Sequence, residues 1–168
     1  EFAEHRQYMP GDEIRDIDWK VFGKSDRYYV KKFEEETNLR TYIVLDASAS
    51  MGYKYDGEGI TKFEYGCYLA ASLSYLMLKQ RDSVGITIFD THIKQYIPPR
   101  GTATHLHAIM SSLESAAPGN ETNISTIFHE LAKRIVRRGL IIVISDLLSQ
   151  PSEAISALKH LRHRKHEV

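Results

Sequence analysis

The sequence predicts an α/β protein with a doubly wound, mainly parallel sheet and an N-terminal charged and β-forming extension. Three observations lead there. From Thr41 onward, short β-rich apolar runs alternate with longer helical patterns, the order that places helices over both faces of a parallel sheet. The runs "TYIVLD" and "LIIVIS" are apolar almost throughout, as strands covered on both faces are. Before Thr41 the chain carries dense charge of both signs, a Pro-Gly turn and the only tryptophan. The expected division is an extension over 1–40 and an α/β domain over 41–168.

The elements follow in order. In the extension, "YYVKKFEEE" reads as a strand with a charged end. Arg15, Asp16, Asp18, Trp19 and Lys20 read as a charge-paired segment anchored by burial of the Trp19 ring, with a partner surface as the competing reading. "TYIVLD" is the first strand of the α/β domain, and Lys54 to Gly59 is polar loop. Thr61 and Glu64 have the spacing of a capping box, in which each side chain bonds the other's amide. The helix expected over Phe63 to Lys79 is apolar nearly all round, so it is expected to be central and buried. "SVGITIF" is the next strand. "HIKQYI" alternates, which fits an exposed edge strand paired as a hairpin, and "PPRG" is expected to end it. Helices are expected over Thr104 to Ala116 and Ile124 to Arg137, the second with basic residues in its last turn and Gly139 as its cap. "LIIVIS" ends at Asp146, Pro151 opens a last helix, and "HEV" begins a further strand.

Composition sets limits on function. Lysine plus arginine equals aspartate plus glutamate at 22 each, so overall charge gives no attraction to nucleic acid or anionic membrane. No apolar run reaches the ~20 residues that span a bilayer, and no secretory leader is visible. The chain begins at Glu1 rather than methionine and is expected to be a piece of a longer protein. Its single cysteine, Cys67, lies in a helical pattern as small core filler. Lone-cysteine usage favours a reducing compartment, so the expected location is cytoplasmic, with anchoring of a longer protein left open.

The segment "IVLDASASMG" carries the chemistry. A strand that ends in Asp46, followed by Ser48 and Ser50, gathers three oxygen ligands in one tight loop. Hard divalent cations such as magnesium want oxygen ligands. Neutral hydroxyls leave the ion's charge incompletely balanced, so it can take an outside carboxylate. An N-cap role would need only one of these three residues. In a parallel sheet, ligands bind beyond the carboxyl ends of the strands. Asp146 ends a second strand and is expected at the same rim. Asp90 also ends a strand and reads as a hairpin turn residue, with an acid supporting the site from behind its ligands as the competing reading.

Asp-x-Ser-x-Ser after the first core strand resembles the metal-ion-dependent adhesion site of von Willebrand factor type A domains, which are Rossmann-like. That resemblance implies a threonine from a later loop, matched by Thr122 in "GNETNI", and a second aspartate, matched by Asp146 in "IVISD". The implied metal set is Asp46, Ser48, Ser50, Thr122 and Asp146, holding magnesium, with manganese or calcium as substitutes. The leader "EFAEHRQYMPGDEIRDIDWKVFGKSDRYYVKKFEEE" and the stretch "KFEYGCYLAASLSYLMLKQRDSVGITIFD" resemble the bacterial domain of unknown function 58 family, which joins such a leader to an A-like domain. Its members are often encoded beside MoxR-type AAA+ ATPases, which implies a partner. The family usually continues past this C-terminus, so 41–168 is expected to be a truncated A-like domain.

The resulting expectation is a non-enzymatic interaction module. It would bind a partner's Glu or Asp through a divalent ion and work with a MoxR-type AAA+ ATPase. The alternative is a metal-dependent, phosphatase-like hydrolase using Asp46 as nucleophile. Such enzymes need a second acid two residues on, where this chain has Ser48. No P-loop or G-x-S-x-G elbow is present. Zinc is disfavoured, because His160, His163 and His166 lie among Lys159, Arg162, Arg164 and Lys165. Nucleic-acid binding lacks both net charge and an aromatic platform.

Overall fold

The structure, a computed structural model, describes residues 2–33, 39–55, 59–121, 124–148 and 151–168. The chain divides into two compact units, Glu1–Thr37 and Asn38–Val168.

In the first unit, β1 (Phe2–Gln7) pairs antiparallel with β2 (Tyr29–Phe33). Strand β1 is not foreseen from the sequence, because its charged residues mask the alternation. Between the strands lies the short helix α1 (Trp19–Ser25). Asp18 caps it by accepting hydrogen bonds from the amides of Lys20 and Val21. A hydrogen bond to His5 lowers the Asp18 pKa to about 2, against a smaller opposing effect of burial. The expected burial of Trp19 is corrected: its side chain is 56% exposed. The ring meets Phe22 edge-on, and Phe22 stacks on Tyr28 with centroids 4.5 Å apart. The charged end expected at Glu34 to Glu36 lies outside the described residues.

The second unit is a mixed α/β domain with a mostly parallel four-stranded sheet. Its strands are β3 (Arg40–Asp46), β4 (Ser83–Phe89), β5 (Ile93–Arg100) and β6 (Leu140–Ile144), in the order β5-β4-β3-β6. Strand β3 is central and runs parallel to both β4 and β6. Its side chains alternate between two apolar layers. Ile43 and Leu45 face α2 (Lys62–Lys79) and α3 (Ala103–Ser115), while Tyr42 and Val44 face α4 (Ile124–Arg134) and α5 (Pro151–His163). Burying an aliphatic side chain stabilises by about 1.5–3 kcal/mol. Two layers of such residues hold the strand ends in place.

Four sequence expectations need correction. Helix α2 is amphipathic rather than buried all round. Phe63, Gly66, Ala70 and Ser74 are buried, but Tyr65, Tyr68, Tyr75 and Leu76 are about half or more exposed. Strand β5 does not stop at the prolines but runs through Pro98 and Pro99 to Arg100. It is an edge strand, where a missing N–H leaves no ladder bond unmade. Helix α4 ends at Arg134, not Arg137. Gly139 is therefore no helix cap; a Cβ there would sit 2.1 Å from the carbonyl oxygen of Arg40, so close strand approach requires the glycine.

Other expectations match. The Thr61–Glu64 capping box is formed, with bonds of 3.0 and 2.6 Å. Strand β5 pairs antiparallel with β4. Glu167 makes a parallel bridge to Leu140 on the outer side of β6, as a strand beginning at "HEV" would. Among the described residues, no helix is long and apolar enough to cross a membrane.

Candidate functional site

Register brings the predicted oxygens together. Leu45 pairs with Ile144 and Asp46 with Phe89, so the residues after β3, β4 and β6 leave the sheet at one rim. Asp46 is fully buried. One carboxylate oxygen accepts the Ser48 amide at 2.8 Å, and the other accepts the Ser145 hydroxyl at 2.6 Å. These bonds offset the cost of burying a carboxylate. The chain then turns through a short 3-10 segment, Ala49–Gly52.

Ser48 and Ser50 face one another, with hydroxyl oxygens 3.1 Å apart. The Ser50 hydroxyl donates to Asp146 Oδ1 at 3.2 Å. Ser50 has one proton to give, so Ser48 must donate to Ser50. The far oxygen of Asp146 takes the Lys62 ammonium at 2.8 Å. Burial pushes the Asp146 pKa up, but the Lys62, Leu148 and Ser50 hydrogen bonds outweigh it and leave the group below its ordinary value. Four of the five predicted residues thus form a chain of contacts. The fifth, Thr122, lies outside the described residues.

Gly119 and Asn120 are bonded to the turn after β3. The Asn120 carbonyl accepts the Ala49 amide at 2.8 Å, and the Gly119 amide donates to the Ala47 carbonyl at 2.8 Å. Asp90 fastens the same loop from below. It is fully buried and accepts bonds from the Asn120 amide and side chain, the His92 amide and the Lys94 ammonium. Burial alone would raise the Asp90 pKa; Lys94 and the two amides hold it far below its ordinary value. Gly119 leaves room for this junction, since a Cβ there would lie 2.6 Å from Lys94 Nζ. Asp90 thus matches the competing reading, an acid that supports the site, rather than a plain hairpin turn residue.

Sequence reasoning missed Lys62, Ser145 and Asn120. Lys62 had a usable signal. It is the first residue of a capped helix that follows β3, and such helices start near the carboxyl rim. Ser145 directly precedes a predicted ligand, and in the sequence it reads only as the end of a strand.

The histidines form no comparable site. His105 is buried and bonded to the Val84 carbonyl, whereas His107 is exposed. His160 stacks on His129 at 4.8 Å; burial, with nearby His129, Arg164 and His163, lowers its pKa. Among the described residues, no group of three or more His, Cys, Asp or Glu side chains gathers to hold a metal. Cys67 is half-buried, and burial pushes its thiol up to about 11, which makes it a poor nucleophile.

The molecule is thus a mixed α/β domain, joined to a small strand-paired unit, with hydroxyls and carboxylates gathered at one sheet rim. The chain belongs to the family described as protein of unknown function DUF58, whose model matches residues 4–168. It is 26% identical over 174 residues to uncharacterized proteins of Mycobacterium bovis and Mycobacterium tuberculosis, covering 99% of this chain and 52% of each relative. The chain spans about half the length of these curated relatives. Among solved structures it resembles the conserved hypothetical protein BatB from Bacteroides thetaiotaomicron, with a TM-score of 0.60 and 21% identity over 75% of this chain and 62% of that one. It also resembles an aerotolerance-related membrane protein from Bacteroides fragilis, with a TM-score of 0.59 and 23% identity over 74% of this chain and 62% of that one. At these identities the likeness is one of fold.

Proposed function

We propose that the chain is a non-enzymatic, von Willebrand A-like interaction module that grips a partner's Glu or Asp through a divalent ion at a metal-ion-dependent adhesion site. Ser48, Ser50 and Thr122 would hold the ion, with Asp46 and Asp146 acting directly or through water. One observation carries the reading. The steps from Ser48 to Ser50 and from Ser50 to Asp146 are 3.1 and 3.2 Å. Adjacent ligands of an octahedral magnesium ion at 2.0–2.1 Å lie about 3 Å apart. The donor set therefore suits a small hard cation, with magnesium preferred and manganese or calcium as substitutes. Bound there, the ion would supply a Lewis-acidic position for an incoming carboxylate. The protein's own residues orient the hydroxyls: Asp46 fixes the loop through the Ser48 amide, and Asp146 orients Ser50.

The partner we favour is a MoxR-type AAA+ ATPase, on the strength of the family resemblance. Hydrolysis through Asp46 ranks below this reading. Both of its carboxylate oxygens are occupied, its side chain is buried, and the position two residues on is Ser48.

The test is calorimetric titration of magnesium and manganese into the wild type and a Ser48→Ala, Ser50→Ala double variant. A loss of binding of about tenfold or more is expected, on the scale of one or two removed ligands. Equal affinities would sink the metal reading. An affinity pull-down with a MoxR-type AAA+ ATPase, in magnesium and in chelator, would test the partner.

A further inference from the structure

Lys62 is the feature of the rim that the adhesion-site reading does not use. It is the first residue of α2, placed by the Thr61–Glu64 capping box. Its ammonium lies 2.8 Å from Asp146 Oδ2, and its side chain stays 40% exposed. The same ammonium sits 5.5 Å from the centre of the Tyr53 ring, close enough for a cation–π contact. Lys62 thus has two partners, and only one of them is a proposed metal ligand.

We propose that Lys62 is a tethered cation that competes with the divalent ion for Asp146 and so sets the affinity of the site. This rests on the metal reading above. A divalent ion on Asp146 would stand within a few ångströms of the ammonium, and like charges so close repel strongly. With the ion toward Oδ1 and the ammonium on Oδ2, each weakens the other's hold on the carboxylate, and tighter ion binding favours release of the ammonium. Partial exposure gives it solvent to move into, and the Tyr53 face gives it a second resting place. The competition selects against monovalent ions, which offer Asp146 no more charge than Lys62 already does.

The experiment titrates magnesium and manganese into the wild type, Lys62→Met and Lys62→Arg. Lys62→Met should bind both ions about tenfold more tightly, and Lys62→Arg should stay within about threefold of wild type. In chelator, Lys62→Met should melt lower by no more than about 2–4 °C, because Asp146 loses its counter-charge. Saturating manganese should then raise its melting point by more than it raises that of the wild type. Adding Asp146→Asn should abolish the gain in affinity. Lys62→Gln provides a second neutral variant with the same expected gain. Equal metal affinity in wild type and both neutral variants would overturn the competition while leaving the metal reading intact. No binding of either ion by any of these proteins would overturn both.

Discussion

Asp90 and Asp146 stand at the same rim, each beyond a parallel strand and each facing a lysine, yet one is sealed from water and the other is not. Asp90 is fully buried and takes bonds from two backbone amides, those of His92 and Asn120, and from the side chains of Thr91, Asn120 and Lys94. Asp146 is partly exposed, takes two of its three bonds from the side chains of Ser50 and Lys62, and precedes Leu147 in the left-handed region. Five donors and full burial leave Asp90 no water to turn to, whereas Asp146, with three donors and an open edge, can exchange a side-chain partner. Asp90 is thus a joint of the structure, and Asp146 is free to change partners.

The largest effect expected from this contrast is at Asp90. Asp90→Asn should cost about 3 kcal/mol or more, because it leaves Lys94 and a set of buried amides without their charge partner. Asp146→Asn, by contrast, should cost about 1 kcal/mol or less in chelator. The pH dependence carries the sign. The folded Asp90 pKa lies below its ordinary value of 3.8. Its ionic contribution is therefore full above pH 3.8 and is lost as pH falls below that toward the folded value. Urea midpoints should show a wide gap between wild type and Asp90→Asn at pH 7 and a narrower gap below pH 3.8. A gap that stays constant down to pH 2.5 would break the electrostatic side of the comparison.

The two lysines sharpen it further. Lys94→Met strands a carboxylate that has no exposure, and should cost about 2–3 kcal/mol. Lys62→Met exposes Asp146 to water instead, and should cost less than about 1 kcal/mol. Thermal or urea unfolding of both variants in chelator checks this. Equal costs would mean that the two acids are alike and that Lys62 is as structural as Lys94.

Part of this contrast was legible in the sequence. The apolar runs ending in Asp46 and Asp146 fixed strand ends, and parallel pairing then required a shared rim. The Thr61–Glu64 capping box gave the start of α2. What sequence could not show was partnership. Asp90 looks like any hairpin aspartate, because the donors that define it, Asn120 and its amide, come from thirty residues away. Lys62 looks like a solvated first-turn residue until the register puts Asp146 beside it. The exposed face of α2 is hidden from a periodicity argument, because tyrosine counts there as apolar while keeping its hydroxyl in water. Pro98 and Pro99 read as a stop, yet proline is compatible with an open sheet edge. Gly139 has the composition of a cap and the role of a spacer, a distinction set by the neighbouring Arg40 carbonyl.

The smallest expected effect lies in the turn that carries Asp146. Leu147 has φ of 52° and is 43% exposed. A left-handed conformation costs a branched L-residue about 1–2 kcal/mol. The turn keeps it because the Leu147 amide bonds Ser145 Oγ at 2.9 Å and the Leu148 amide bonds Asp146 Oδ1 at 3.3 Å. Leu147→Gly removes the steric cost but gives the unfolded chain more freedom, which offsets part of the gain. The net expectation is a stabilisation of about 0.5 kcal/mol, read as a small rise in urea midpoint with unchanged slope. Metal titration of the same variant adds a second reading. If strain in this turn holds Asp146 toward Ser50, relieving it should weaken ion binding even as the fold gains stability. A variant that becomes both more stable and tighter for the ion would show that the Asp146 turn is as settled as the Asp90 joint.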